Sequence, residues 1–172
     1  MKNNSILLFL PASQFNELEF VVVKDNLENA GINVFIASDA VNMCEGNFNL
    51  KVKADLNLFN IHEKKFAGIV LIGGAGARNY WANNGLYQII NKFVNAGKIV
   101  AAICSATVIL SKAGTLDNIT ATCFPGDSME LINSKINYIN EPVAVAGKII
   151  TGRNPEASSQ FTDAIIQKIR VQ

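Results

Sequence analysis

Apolar runs alternate with segments of helical apolar spacing along the chain. The run "SILLFL" at 5–10 predicts a first strand, and helical spacing predicts a helix over 16–29 that begins at a capping Asn16 and ends at Gly31. The next run, "INVFIAS", predicts a second strand at 32–38. Strand and helix therefore follow one another from the start of the sequence.

The same alternation continues to the end of the chain. The stretch 41–64 is mixed and polar, and predicts a small hairpin or a long loop with a short helix. Beyond it we expect strands at 66–74, 99–104 and 119–124, a hairpin at 143–152, and helices at 84–98, 105–112 and 155–172. This order predicts an α/β fold, a flavodoxin-like three-layer sandwich with a mostly parallel central sheet and helices on both faces.

Composition and charge narrow the class of protein. The chain has 172 residues, of which 49% are apolar and 17% charged, so we expect one folded domain over 1–172. Its formal net charge of +1 gives no electrostatic basis for binding nucleic acid or an anionic membrane. No apolar run approaches the roughly 20 residues that span a bilayer, and the first is shorter than the roughly 7–15 residues of a secretion signal. We therefore expect a cytoplasmic protein.

The predicted strand order gathers several chemically active residues at one edge of the sheet. In a flavodoxin-like sheet, sites form beyond the carboxyl ends of the strands at the point where the strand order reverses. The first strand, the strand ending at Gly73 and Gly74, and the strand ending at Cys104 would meet there. The helix after the first strand would add Glu17 or Glu19 to the same pocket.

Cys104 lies where a strand passes directly into a helix, in "KIVAAICSATVIL". Such a turn aims the side chain out of the sheet, and the first helical N–H groups favour a thiolate by lowering the thiol pKa. The small residues around the cysteine favour a tight turn of this kind. The alternative is a small buried side chain that only fills space, which is common for a free cysteine.

The glycine pair Gly73 and Gly74 follows an apolar strand. Two glycines allow close approach of the backbone and expose N–H groups that could bind an oxyanion, although they could equally form an ordinary turn. Asn79 stands where a third glycine would complete a dinucleotide fingerprint, so no nucleotide cofactor is expected.

Metal and disulfide chemistry have little basis in the sequence. The three cysteines include no C-x-x-C pair and the chain has one histidine, His62, so neither a zinc site nor a disulfide framework is expected. Cys44 and Cys123 are predicted to be packing residues. His62 precedes the third main strand at its amino-terminal side, so we expect it away from the pocket as a surface or core residue.

Four segments, "GIVLIGG", "VAAICSAT", "KAGTL" and "TATCFPG", together resemble the ThiJ/PfpI superfamily. The resemblance runs nearly end to end, from "ILLFLPAS" to "GKIITGRNPEASSQF", and "TCFPG" is similar to the small bacterial members. It implies a flavodoxin-like sandwich that forms a homodimer. It also implies a reactive cysteine at the strand–helix elbow and no added cofactor.

The resemblance implies specific roles for five residues. Cys104 matches the reactive cysteine, and Glu19 matches an acidic residue that contacts the thiol as a protonated carboxylic acid. Gly74 and Ser105, with Gly73 beside them, match positions whose backbone N–H groups form an anion pocket. A neutral acid beside a sulfur anion is physically reasonable, because the like charge of the thiolate raises the pKa of the carboxyl.

Departures from the family pattern leave the function open. Many relatives carry a histidine where this chain has Ser105 or Cys123, so peptidase activity is not expected. The stretch "GRNPEAS" also replaces a turn richer in glycine and proline. The preferred function is a glyoxalase or deglycase, a lyase or hydrolase acting on small reactive carbonyls. The alternatives are a redox-responsive protein whose Cys104 oxidises to sulfinate, and a hydratase of other small electrophiles such as isocyanides.

Overall fold

The computed structural model describes residues 4–40 and 42–171, which form twelve strands and five α-helices. The predicted loop residue Val41 and the predicted helix end Gln172 lie outside the described residues. The strands are β1 Ser5–Phe9, β2 Ser13–Phe15, β3 Asn33–Ser38, β4 Cys44–Gly46, β5 Lys51–Val52, β6 Leu56–Asn57, β7 Gly68–Leu71, β8 Ile99–Ile103, β9 Thr120–Ala121, β10 Asn137–Tyr138, β11 Val143–Ala146 and β12 Ile149–Gly152. The helices are α1 Glu17–Asn29, α2 Asn84–Asn95, α3 Thr107–Lys112, α4 Ser128–Asn133 and α5 Ser158–Arg170.

A seven-stranded sheet with the order β11-β12-β8-β7-β1-β3-β6 forms the centre of the fold. All neighbouring strands in it run parallel except β11 and β12, which form the predicted antiparallel hairpin. From β1 the chain moves to β3 on one side, and it later enters β7 on the other side. The strand order therefore reverses between β1 and β7, with β8 next in line, so the predicted flavodoxin-like fold is confirmed.

Apolar side chains cover both faces of this sheet and form two core clusters. On one face α1 and α5 pack together, with Phe20 and Phe161 buried beneath them. On the other face α2, α3 and α4 bury residues such as Phe93, Ile109 and Leu131. The two layers of helices confirm the predicted three-layer arrangement, and they leave the carboxyl ends of the parallel strands open at one edge.

The long helical segments fold close to their predicted limits. The first helix is capped as predicted, since the Asn16 side chain accepts a hydrogen bond from the Glu19 N–H at 3.0 Å. The strand expected at 119–124 is shorter, because only β9 is extended and it pairs with β10 outside the central sheet. Beyond β9, the Thr122 N–H bonds to the Thr151 hydroxyl at 3.0 Å instead of a strand partner.

The mixed, polar stretch after β3 forms short strands. Strands β4 and β5 make the predicted small hairpin, β2 adds to its edge, and β6 joins the central sheet. Glu17 holds the turn of this hairpin, because its Oε1 accepts hydrogen bonds from the N–H groups of Phe48 at 2.6 Å and Leu50 at 2.9 Å. Of the two candidate carboxylates on α1, Glu17 therefore binds the hairpin turn.

No helix in the described part of the chain combines the length and the apolar character that crossing a membrane requires. The longest there, α1 and α5, have 13 residues each, against the roughly 20 of a spanning helix.

Candidate active site

Cys104 occupies a sharp elbow between β8 and the helical segment that follows it. Its φ is +60°, a conformation that non-glycine residues rarely adopt, and it begins one 3₁₀ turn, Cys104–Ala106, that continues into α3. The indole N–H of Trp81 donates to the Ser105 carbonyl oxygen at 3.0 Å and holds this turn in place. The Cys104 side chain is 5% exposed and opens onto a cavity at the sheet edge.

Glu19 lies beside this cysteine, fully buried in the first turn of α1. Its Oε2 accepts the Gly73 N–H at 2.8 Å, and the Asn16 N–H donates to the Gly73 carbonyl oxygen at 2.9 Å. These two bonds join the start of α1 to the end of β7. The other carboxyl oxygen, Oε1, has no hydrogen-bond partner among the described residues. The Cys104 thiol is the neighbouring side chain that lowers the pKa of this carboxyl.

The environment of Glu19 favours its protonated form. Burial raises the pKa of Glu19 from 4.5 to about 7, and interactions with the Cys104 thiol and the Gly73 N–H offset only part of that rise. The charge of Glu156 adds a smaller increase. Near neutral pH this carboxyl is therefore able both to donate and to accept a proton.

The pKa of Cys104 is raised, not lowered as the sequence pattern predicted. Burial is the largest cause and the charge of Glu19 the next, while the Ser105 N–H lowers the pKa only in part. The local N–H groups favour a thiolate as expected, but removing the sulfur from water outweighs them. At rest the structure therefore favours a thiol.

The glycine pair allows these groups to approach one another. A methyl group on Gly73 would lie 2.7 Å from Glu19 Oε2 and 2.8 Å from Cys104 Cβ, so a larger residue would separate carboxyl and thiol. The Gly73 N–H is already bonded to Glu19, which corrects the expectation that it binds an anion. Gly74, with φ +109°, lines the cavity.

The cavity in front of Cys104 has a volume of about 170 Å³, which suits a molecule of a few heavy atoms. A larger cavity of about 530 Å³ lies at the amino-terminal end of β8, against Lys98, Lys148 and Lys168. Its described lining holds lysines but no cysteine, serine or threonine, so the smaller cavity, which holds Cys104, is the candidate site. The smaller cavity is lined by Asn16, Gly74, Ala75, Arg78, Cys104, Ser105, Phe124 and Pro155.

Two charged residues of this site were missed by sequence reasoning. Asp127 is 6% exposed, and its Oδ1 accepts hydrogen bonds from Arg78 Nη2 at 2.8 Å and Nε at 3.2 Å. Its Oδ2 accepts the Ser105 hydroxyl proton at 2.6 Å. The Arg78 guanidinium also lies over the rings of Trp81, at 5.8 Å, and Phe124, at 6.0 Å. The sequence signal that could have indicated them is a single charged residue a few positions after a strand, Arg78 in "GGAGAR" and Asp127 in "FPGD".

The remaining candidates lie apart from the cysteine. His62 is exposed and lies before the amino-terminal end of β7, opposite the cavity. Cys44 and Cys123 are buried free thiols within the two core clusters. The departing "GRNPEAS" stretch places Pro155 in the cavity wall. In the described ranges, no three His, Cys, Asp or Glu side chains come together as a metal site would require.

Fold and site together define a class, an α/β protein with a cysteine at a strand–helix elbow beside a buried carboxyl. The family model described as the DJ-1/PfpI family matches residues 4–168, and the chain belongs to this family.

Relatives of known name agree with this assignment. A deglycase of Pyrococcus horikoshii is 31% identical over 149 residues, which cover 87% of this chain and 90% of that protein. A glutathione-independent glyoxalase of Caenorhabditis elegans is 22% identical, covering 96% of this chain and 88% of that one. The crystal structure of a ThiJ/PfpI domain protein from Brachyspira murdochii superimposes with a TM-score of 0.96 at 27% identity, covering 100% and 99% of the two chains.

Proposed function

We propose that this chain is a cofactor-independent enzyme that converts small reactive carbonyls, of glyoxalase or deglycase type, through Cys104 and Glu19. One observation carries the proposal. The Cys104 sulfur opens onto a cavity of about 170 Å³ and has beside it a buried carboxyl whose pKa is about 7. A group that titrates near the working pH is suited to move protons in both directions. The deglycase and glyoxalase names of relatives support the same class of substrate.

Methylglyoxal illustrates the reaction. The Cys104 thiolate adds to the aldehyde carbon, and protonation of the resulting oxyanion gives a hemithioacetal. Glu19 takes the proton from that carbon and returns it to the neighbouring carbon through an enediol, which leaves a thioester of lactate. Water cleaves the thioester and restores the thiol, so methylglyoxal and one water become lactate without an external oxidant or reductant. The Gly74 and Ser105 N–H groups would bind the oxyanion.

The cavity lining, as far as the structure describes it, includes no histidine. Proton transfer at the substrate carbons therefore falls to Glu19, the carboxyl that interacts with the cysteine. Peptide hydrolysis, which needs a base to activate a nucleophile and an acid for the amine leaving group, has little support in this site.

The decisive experiment follows lactate formation from methylglyoxal. We expect Cys104→Ser to lose essentially all turnover, and Glu19→Gln to reduce kcat by about 100-fold or more, the usual size of a lost general acid–base. Cys44→Ser, which alters a buried thiol outside the cavity, is the matched control and should retain activity. Undiminished turnover in Cys104→Ser would exclude the mechanism.

A redox-responsive role is a second candidate, and the protonated Glu19 beside the sulfur favours it. A sulfinate formed by peroxide could accept a hydrogen bond from that acid and from the Ser105 N–H. Addition of two oxygens at Cys104, seen by intact mass, without carbonyl turnover would favour this role. Turnover of isocyanides in place of carbonyls would instead favour the hydratase.

We also propose that the enzyme is a homodimer that binds a small carbonyl or electrophile. Exposed apolar side chains cluster around the start of α1, namely Leu18, Val21 and Phe48, which are 53%, 41% and 79% exposed. The Glu17 hydrogen bond to the Phe48 N–H brings the hairpin turn next to α1. Neighbouring exposed apolar groups of this kind are typical of an interface.

A further inference from the structure

Asp127 is a buried carboxylate for which the proposed reaction has no use as yet. Both of its oxygens are occupied, Oδ1 by the Arg78 guanidinium and Oδ2 by the Ser105 hydroxyl. Ser105 is itself 2% exposed and follows the nucleophile directly. The Arg78–Asp127 salt bridge lies at the cavity wall, and its carboxylate bonds to Ser105, the residue next to Cys104.

The Ser105 hydroxyl has a single proton, and the partner that receives it decides whether Ser105 donates to Cys104 or accepts from it. A hydroxyl has one proton to donate and two lone pairs to accept with. The 2.6 Å bond commits that proton to the charged Asp127 carboxylate, which is a strong acceptor. Toward Cys104 Sγ, 4.0 Å away, Ser105 Oγ therefore presents a lone pair, and it is able to accept a proton from the thiol.

The hydrogen bonds form a chain with one direction. Because Glu19 Oε2 accepts the Gly73 N–H, a proton on this carboxyl belongs on Oε1, which has no hydrogen-bond partner among the described residues. Either atom could donate in the 4.0 Å contact between Cys104 Sγ and Ser105 Oγ, and because the Ser105 proton is bonded to Asp127 Oδ2, the thiol is the donor that remains. From the thiol, the path leads through the Ser105 hydroxyl to the carboxylate that Arg78 pairs.

We propose that Asp127 is a positioning residue that takes up, through Ser105, the proton that Cys104 releases. The thiol proton moves to Ser105 Oγ while the original Ser105 proton moves to Asp127 Oδ2, so the sulfur becomes an anion and Asp127 a neutral acid. No proton is gained from or lost to solvent. The Ser105 hydroxyl then donates to the thiolate that it has just helped to form, as Glu19 does from the other side.

This inference rests on the proposed function for its role in turnover, but it has a signature in the resting protein. In Asp127→Asn, Arg78 still requires an acceptor and so turns the amide oxygen toward itself. The amide N–H then donates to Ser105 Oγ and frees the Ser105 hydroxyl to bond to sulfur. In the variant the Ser105 hydroxyl donates to sulfur, as it does in the wild type after proton transfer. The amide that replaces the Asp127 carboxylate, however, cannot take up the thiol proton.

Asp127→Asn is expected to raise the rate of Cys104 alkylation and to lower the rate of methylglyoxal turnover. Alkylation of Cys104 by iodoacetamide at pH 7, followed by peptide mass spectrometry, should rise by about tenfold, which corresponds to about one pKa unit in the thiol. Methylglyoxal turnover should fall by at least about tenfold, because the acceptor of the thiol proton is lost. A structural role alone would lower turnover through poorer packing and would not accelerate alkylation at Cys104 alone.

A double-variant cycle separates the relay from simple charge removal. In a Ser105→Ala background, Asp127→Asn should accelerate alkylation far less, because its effect passes through the hydroxyl. Full acceleration in that background would overturn the proposal, as would slower or unchanged alkylation in the single variant. Ser111→Ala, which removes a buried hydroxyl without a partner elsewhere on α3, is the matched control.

The proposal remains testable if Asp127→Asn does not fold. Ser105→Ala should then lower turnover by about tenfold or more and Ser105→Thr should restore most of it, because the hydroxyl is retained. Equal turnover in the two variants would contradict the relay. The alkylation cycle needs no substrate. Ser105-dependent acceleration without any carbonyl turnover would therefore support the relay and reject the proposed function.

Discussion

Two buried carboxyls near the Cys104 elbow have opposite surroundings. Glu19 receives one backbone N–H and has no cation beside it, so burial dominates and its proton is retained up to about pH 7. Asp127 receives a guanidinium and a hydroxyl, which compensate the cost of burying its charge. The same chemical group is thus kept protonated at one position and paired with a cation at the other.

The raised pKa of Glu19 predicts a specific pH dependence of stability. An acid that holds its proton more tightly when folded stabilises the fold fully below about pH 4.5, and this contribution is lost as pH rises to about 7. A rise from 4.5 to about 7 corresponds to roughly 3 kcal/mol. Glu19→Gln should lack this decline, so its free energy of unfolding should gain by about that amount relative to wild type between pH 4 and pH 8.

Denaturant unfolding at a series of pH values checks this expectation. Glu17→Gln is the matched control, since Glu17 is on the same turn of α1 and holds the hairpin instead of the site. Glu17→Gln should therefore keep the decline between pH 4 and pH 8 that Glu19→Gln lacks. Parallel curves for wild type and Glu19→Gln would show that Glu19 titrates normally.

At the scale of residues, the sharp elbow at Cys104 was predicted correctly, whereas the roles assigned to Cys104 and Glu19 stay predictions. Cys104 and its elbow were apparent from a strand running straight into a helix, and the resemblance indicated Glu19. The direction of the thiol pKa was wrong because burial is a property of the folded surroundings. Asp127 was missed because its partners, Ser105 and Arg78, are brought to it by loops that follow different strands and show no periodic pattern.

At the scale of elements, the loop after β7 is the tightest junction near the site. It passes beneath β2, and a methyl group on Gly76 would lie 1.7 Å from the Ser13 carbonyl oxygen. A methyl group on Gly74 would lie 2.5 Å from the Gln14 carbonyl oxygen and from the Asn16 N. Glycine at both positions lets this loop support the segment that leads into α1 and Glu19.

Substitution of Gly76 by alanine should therefore be costly. Because the close atom is backbone, β2 or the loop must shift, and we expect a loss of more than about 2 kcal/mol in the free energy of unfolding. Gly85→Ala is the control, since the nearest atom there, at 3.1 Å, belongs to the exposed Phe59 ring. It should lie within about 1 kcal/mol of wild type. Equal stability of the two variants by denaturant unfolding would contradict the close packing.

The elements that were predicted and those that were missed differ in length. Helices α1, α2 and α5 have 12 or 13 residues, long enough for apolar spacing to predict them. Strands β2 and β6, which were missed, have two or three residues and exist because neighbouring segments supply hydrogen-bond partners. Strand β9, the extended part of the strand predicted at 119–124, has two residues. Helix α4, with six residues, follows the turn at Pro125 and was not predicted. Short elements of this kind carry too few positions for a pattern.

For the whole molecule, the proposed homodimer gives a direct measurement. Sedimentation should give a mass of about twice 18.6 kDa. Leu18→Lys should shift the protein toward monomer because it adds a charge to the exposed apolar cluster on α1. Phe59→Lys, at a residue that is 63% exposed elsewhere on the surface, should leave the mass unchanged. A monomer at micromolar concentration in the wild type would reject the assembly.

The site exists only when distant parts of the chain have come together. Glu19, Gly73, Cys104 and Asp127 lie in four segments, and each reaches the site through the order of strands in the sheet. Contacts so far apart in sequence form late and slowly in folding. The proposed proton path from Cys104 through Ser105 to Asp127 would therefore be complete only in the native state.

Because all three thiols are buried in the folded protein, their loss of reactivity during refolding records when each part of the structure forms. Cys44 and Cys104 lie on one face of the sheet and Cys123 on the other, and each is at most 5% exposed. A thiol reagent pulsed during refolding would record, cysteine by cysteine, when each layer closes against solvent. Loss of labelling at Cys123 reports the α2–α3–α4 layer and loss at Cys44 the hairpin beside α1. Labelling at Cys104 reports the arrival of the strand ends that make the site.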